Sequence, residues 1–149
     1  PFFENHVKLG AKIVDFHGWD MPLQYSGILD EQKAVRSNAG LFDISHMGRF
    51  RITGKTSEDC IQNLITNDIS KITENQAVYS PMCNEKGGII DDVIVSKISQ
   101  DEFLIVVNSS NIKKDFEWIQ RHLAGNKLKD ETQETNNKRI REFIELKYF

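Results

Sequence analysis

Two adjacent carboxylates, Asp91 and Asp92, follow the turn Gly87-Gly88 and lead into an apolar run, Val93-Ile94-Val95. Three contiguous β-branched residues predict a strand buried on both faces. Carboxylates at the head of such a strand are costly unless paired, hydrated or used. A second run, Phe103-Leu104-Ile105-Val106-Val107, follows the polar Ser99-Gln100-Asp101-Glu102 and ends at Asn108. The two runs predict a hairpin. The register that sets Ile94 against Val106 also sets Asp92 against Asn108, and a slip of one residue would undo both pairings. Two readings stay open on spacing alone. One is a polar pair, Asp92 and Asn108, at the open end of an apolar hairpin; the other is a solvated strand end, where Asp and Asn are common. Asp91 should face away from Asp92, so its replacement is expected to cost less chemistry.

Other reactive side chains are scattered. Leu41-Phe42-Asp43-Ile44-Ser45-His46-Met47 alternates like a strand while carrying Asp, Ser and His. A lone histidine on a strand is more often structural than a ligand. The same holds for His6, His17 and His122, no two of which have metal-ligand spacing on a helix face. Cys60 and Cys83 match no zinc or redox motif. They read as core thiols in a reducing compartment.

The elements that must position these groups follow from periodicity and punctuation. Pro1 to Gly10 predicts a short helix closed by Gly10. Lys12–Phe16 alternates, His17-Gly18 marks a turn, Met21–Tyr25 predicts a short strand and Asp30–Asn38 a helix ended by Gly40. From Gly48 the pattern changes. Phe50 and Ile52 alternate with Arg49 and Arg51, a half-buried strand. Ser57–Leu64 has a helical apolar stripe, and Ala77–Cys83 is a strand carrying Tyr79. After the hairpin, Asn108, Ser109 or Ser110 can cap a helix through Ile112, Phe116, Ile119 and Leu123. Strand, helix, three strands and helix define an α+β unit with an antiparallel sheet, close to the ferredoxin-like split β-α-β family. Gly125–Asn137 is polar and aperiodic, a loop. Asn136–Phe149 then predicts an amphipathic helix with Ile140, Phe143 and Ile144 on one face.

The composition bounds the partners. With 149 residues, 39% hydrophobic and 28% charged, the chain is of globular type. A net charge of −3 gives no electrostatic case for nucleic acid or an anionic membrane. No apolar run approaches the ~20 residues of a membrane helix, and no signal peptide opens the sequence.

Four blocks carry a resemblance: Asp15-Phe16-His17-Gly18-Trp19, Leu41-Phe42-Asp43-Ile44-Ser45-His46-Met47-Gly48, Ala77-Val78-Tyr79-Ser80 and Gly87-Gly88-Ile89-Ile90-Asp91-Asp92. In this order and spacing they strongly resemble the aminomethyltransferase, or T-protein, family of the glycine cleavage system, from Pro1 to about Leu123. The resemblance implies a tetrahydrofolate-dependent transferase. It would move a one-carbon unit from the aminomethyl-dihydrolipoyl arm of the H-protein to tetrahydrofolate and release ammonia. It marks Asp92 as the functional aspartate and Met47, Tyr79, Asp92, Ile94, Val106 and Asn108 as folate contacts, with no metal. Ser96 stands where relatives often carry tyrosine. Tetrahydrofolate and lipoylated H-protein are the implied partners, in the cytoplasm of a bacterium or archaeon or the mitochondrial matrix of a eukaryote.

Family members run to more than twice this length, so the chain reads as an amino-terminal part, truncated relative to the family. Residues 1–47 would begin the folate-binding first domain without completing it. Residues 48–137 would form the ferredoxin-like domain, and 138–149 an amphipathic tail with no family counterpart. Alternatives of other classes are a folate-binding remnant without transfer activity and an interaction module docking through the tail; within the same class, the alternative is a related folate-dependent demethylase.

Overall fold

The computed structural model describes residues 2–125 and 145–148. The chain divides into two compact units, Pro1–His46 and Met47–Phe149. Met47, assigned from sequence to the end of the first segment, falls at the head of the second unit.

In the first unit, α1 (Phe3–Lys8) ends near Gly10, whose φ of 76° is the left-handed geometry that favours glycine. Strands β1 (Lys12–Phe16) and β2 (Trp19–Gln24) pair antiparallel, with Phe16 opposite Trp19. Their two-residue turn, His17-Gly18, has φ of 54° and 83°, as a turn with positive φ at both central positions requires. Helix α2 spans Ile28–Ser37 and fully buries none of its residues. The alternating run from Leu41 was expected to be a strand but forms none. Leu41, Phe42 and Ile44 are exposed, because alternation supplies a pattern but no neighbouring strand to pair with.

The second unit runs β3 (Gly48–Thr53), α3 (Ser57–Gln62), β4 (Ala77–Cys83), β5 (Ile89–Ser99), β6 (Glu102–Val107), α4 (Ile112–Gly125) and β7 (Glu145–Tyr148). One five-stranded sheet takes the order β4-β5-β6-β3-β7, every neighbouring pair antiparallel. Strands β3 and β5 flank β6, and α3 lies on the connection between them; this is the split β-α-β arrangement. Strand β4 is an added edge on one side and β7 closes the other. The amphipathic helix expected over the tail is therefore corrected at Glu145–Tyr148, which pairs with β3 from Phe50 to Thr53. The i, i+3, i+4 spacing of Ile140, Phe143 and Ile144 favoured a helix, but those three residues lie outside the described ones. Ladder hydrogen bonds to an open strand edge outweigh the weak propensity of so short a segment.

The core lies on one face of this sheet. Phe50, Ile52, Val93, Val95, Phe103, Ile105 and Val107 point into it and meet Ile61 and Leu64 beside α3 and Trp118, Ile119 and Leu123 of α4. Each fully buried aliphatic or aromatic side chain here contributes ~1.5–3 kcal/mol. Strict alternation leaves the opposite face with Arg49, Tyr79, Asp92 and Ile94. Burial of the Val93-Ile94-Val95 run on both faces is thus corrected to one face, since Ile94 is 44% exposed. Among the described residues, no helix is long and apolar enough to cross a membrane.

Candidate active site

The register brings the candidate residues into rows on the open face. Tyr79 pairs with Ile94, Ile94 with Val106, and Val106 with Arg49, a line across four strands. One pleat step along, Asp92 pairs with Pro81. The Ile94–Val106 register is the one expected from the sequence. Asn108 follows the last paired residue of β6 and Met47 precedes the first of β3, where Gly48 faces Val107. Met47 and Asn108 therefore leave the sheet at the same end. Ser96, opposite Leu104, extends the face beyond Ile94 with a small hydroxyl.

Asp92 is held through both oxygens. The Tyr79 hydroxyl donates to Oδ2 at 2.7 Å. The Asn108 amide donates to Oδ1 at 3.0 Å and lies 3.2 Å from the Asp92 main-chain oxygen. The bond to Asp92 raises the Tyr79 pKa, with burial and the carboxylate charges adding to it, so the phenol stays a donor. Of the two readings of this strand end, the structure holds the polar pair. Tyr79 remains 61% exposed and Ile94 44%. The result is an apolar shelf bordered by a fixed carboxylate and amide, suited to a flat ligand with N–H groups at its rim.

Asn108 does not cap the following helix with its side chain. It is engaged instead by a cluster that sequence reasoning missed. Asp91 faces the core and is 4% exposed. Its Oδ2 accepts the Asn108 main-chain N–H at 3.0 Å, and its Oδ1 accepts Nδ2 of Asn108 at 2.8 Å and Nδ2 of Asn111 at 2.7 Å. Asp115, in the first turn of α4, is fully buried, and neither of its oxygens meets an N–H or O–H among the described residues. Its partner is the Asp91 carboxyl. Two carboxylates accept but cannot donate, so the contact is a hydrogen bond only when one carries a proton. Burial, then the bond and charge of Asp91, push Asp115 up to about 8, against a smaller opposing effect of Lys114. Burial also acts to raise Asp91, yet bonds from Asp115, Asn108 and Asn111 outweigh it and hold its carboxyl below the usual range. The proton therefore sits on Asp115.

This arrangement makes stability depend on pH. An unfolded aspartate titrates near ~3.9, so between that value and about 8 the native state holds a proton on Asp115 that the unfolded chain has lost. The contribution of Asp115 is fully present below pH ~4 and is lost as pH rises through about 8. Asp91, shifted the other way, contributes above the carboxylate range and loses its contribution on acidification. Urea midpoints of the parent should therefore fall, relative to those of Asp115→Asn, as pH is raised from 5 to 9. Parallel pH profiles of the two proteins would refute the protonation of Asp115.

The first unit holds a separate polar assembly. His6 is buried, with Nε2 hydrogen-bonded to Asp43 Oδ2 at 2.9 Å and Nδ1 hydrogen-bonded to the Tyr25 hydroxyl at 2.7 Å. Burial acts to raise Asp43, but bonds from Ser45 and His6 outweigh it and lower the carboxyl to about 2. Asp43, His6, Ser45, His46 and Trp19 line a cavity of about 160 Å³. This cavity belongs to the first unit alone. Asp92 instead lies on an exposed sheet face, and its donor geometry makes that face the better candidate for chemistry.

The sequence matches the GCVT N-terminal domain over residues 2–140, and the chain belongs to that family. Among curated relatives, aminomethyltransferase from Thermotoga maritima is 57% identical over 122 residues, covering 82% of this chain and 34% of that protein. Aminomethyltransferase from Desulfitobacterium hafniense (strain DSM 10664 / DCB-2) is 53% identical over 125 residues, covering 84% and 34%. The crystal structure of glycine cleavage system aminomethyltransferase T from Bartonella henselae superposes with a TM-score of 0.82 at 30% identity. It covers 100% of this chain and 37% of that one. The chain thus spans about a third of the length of the curated relatives it matches.

Proposed function

We propose that the open sheet face is the folate-binding side of a glycine-cleavage aminomethyltransferase. On this reading it passes a one-carbon unit from the aminomethyl-dihydrolipoyl arm of H-protein to tetrahydrofolate. The observation that carries the reading is the Asp92 carboxylate, gripped by Tyr79 and Asn108 at the end of the Tyr79–Ile94–Val106 row. Each carboxylate oxygen has two lone pairs, so both can accept a ligand N–H while keeping their protein donors. Asp92 then orients the amine that attacks, and Ile94 and Val106 support one face of the pterin. Met47 adds a soft, adaptable contact at the sheet end. Orientation is the main contribution the site can make, since two bound partners must meet at one carbon. Family membership supports this reading, as do bacterial relatives named for the activity, whose setting fits a cytoplasmic reaction.

The test is calorimetry of this chain with tetrahydrofolate. Ile94→Asp puts a charge in the middle of the apolar row without disturbing the core. It should weaken binding about tenfold or more, the equivalent of ~1.4 kcal/mol. Equal affinity of variant and parent would move the folate site away from this face.

A further inference from the structure

We propose that Asp91 is a positioning residue for Asp92, acting through the side-chain amide of Asn108, and that Asp115 braces Asp91 from the helix behind it. This rests on the reading of Asp92 as the site carboxylate. The two aspartates point to opposite faces of β5, and one amide group joins them. Nδ2 of Asn108 lies 2.8 Å from Asp91 Oδ1 and 3.0 Å from Asp92 Oδ1. An amide has two N–H groups and one carbonyl oxygen. With one N–H on each carboxylate, the orientation of Asn108 is fixed, because the flipped amide would aim its carbonyl oxygen at two acceptors. Asp91 also accepts the Asn108 main-chain N–H, so it holds both ends of that residue.

The supports of Asp91 lie behind the sheet. Asn111 donates to Oδ1 from the turn between β6 and α4, and Asp115 reaches it from α4 itself. Lys114 donates to the Ile90 main-chain oxygen at 2.7 Å, tying the same helix to the residue before Asp91. Close approach of this junction depends on Gly48. A Cβ there would sit 2.6 Å from Val107 Cγ2 and 2.7 Å from Ile112 Cγ1. A carboxylate that merely capped a strand end would need neither full burial nor an acid partner. This one collects donors from the residue that ends the hairpin, the turn and α4, and passes a single constraint to the open face.

The measurement is ¹⁵N NMR of the whole chain, following exchange of the Asn108 side-chain amide hydrogens, together with calorimetry against tetrahydrofolate. Asp115→Asn keeps an N–H donor for Asp91 and should leave both readouts near the parent. Asp115→Leu removes the donor. It should speed exchange of the Asn108 amide about tenfold and weaken tetrahydrofolate binding by a similar factor, as for loss of one hydrogen bond. Should Asp115→Leu not fold, Asp91→Asn serves instead, since it removes the charge that orients the amide and predicts the same two changes. A lowered melting temperature with Asn108 exchange unchanged would show a merely structural cluster and overturn the proposal. Faster Asn108 exchange in a chain that never binds tetrahydrofolate would uphold the positioning network and overturn the folate reading alone.

Discussion

Replacing Asp92 by asparagine is expected to lower aminomethyl transfer about 100-fold or more while leaving the fold intact. The assay joins these residues to the remaining part of a relative's chain and supplies loaded H-protein and tetrahydrofolate. The geometry explains why structure and activity should separate. Asp92 is exposed, so no buried charge is lost. Its neighbours can also accept the amide. Asn108 offers only N–H and needs the carbonyl side, whereas the Tyr79 hydroxyl can turn and accept from the new NH₂ group. The side chain stays in place and loses only its charge and half its acceptor capacity. Equal transfer rates for variant and parent would sink the assignment of Asp92. Asp91→Asn differs in kind. Asp91 is buried, and its carboxylate is the shared acceptor of Asn108 and Asn111. A loss of stability of ~1–3 kcal/mol should accompany any kinetic effect.

These 149 residues alone are expected to bind tetrahydrofolate about 70-fold more weakly than a relative of full length, and to show no turnover with loaded H-protein. The shelf is open, with Tyr79 and Ile94 still exposed. A flat ring laid on it is covered on one side only. Leaving on the order of 100 Å² of apolar ligand surface in water at ~25 cal/mol per Å² forfeits ~2.5 kcal/mol, which is that factor. Turnover should suffer more, because the lipoyl partner also needs orienting surface. Parallel calorimetry and a transfer assay decide the matter. Affinity equal to that of the full-length relative, or measurable turnover, would mean that these residues make a complete site.

The parts of the site that could be read from sequence are those set by strand alternation. The Ile94–Val106 register follows from two apolar runs and a short polar turn, and it alone places Asp92 beside Asn108. Tyr79 joins the same face because β4 pairs next in line. Asp115 could not be found this way. An acid in the first turn of an amphipathic helix reads as favourable to the helix dipole, and only the fold reveals that it points into the core against Asp91. The available signal was the spacing of Asn108, Asn111 and Asp115, three polar residues on successive turns where the apolar stripe should begin. Asn108 was likewise read as one possible helix cap, but the carboxylates engage its side chain. At Glu145–Tyr148 the misreading has another cause. Whether four residues form a strand depends on an open edge far away in sequence, which no local period encodes.

That distant pairing also bears on how the unit is assembled. Strand β3 opens the second unit, and its outer edge is covered by the last strand, with Phe50 opposite Tyr148 and Thr53 opposite Glu145. Chain synthesis delivers β3 early and β7 late. Until β7 emerges, β3 presents a row of unpaired N–H and C=O groups that a strand of another molecule could occupy. Contacts of such long sequence separation also close slowly, because loop entropy is lost before pairing repays it. The hairpin of β5 and β6, with Asp92 and Asn108 at its end, is local by comparison and can form first. The site's polar pair thus needs only a local hairpin to form, whereas protection of the sheet edge needs contacts of long sequence separation.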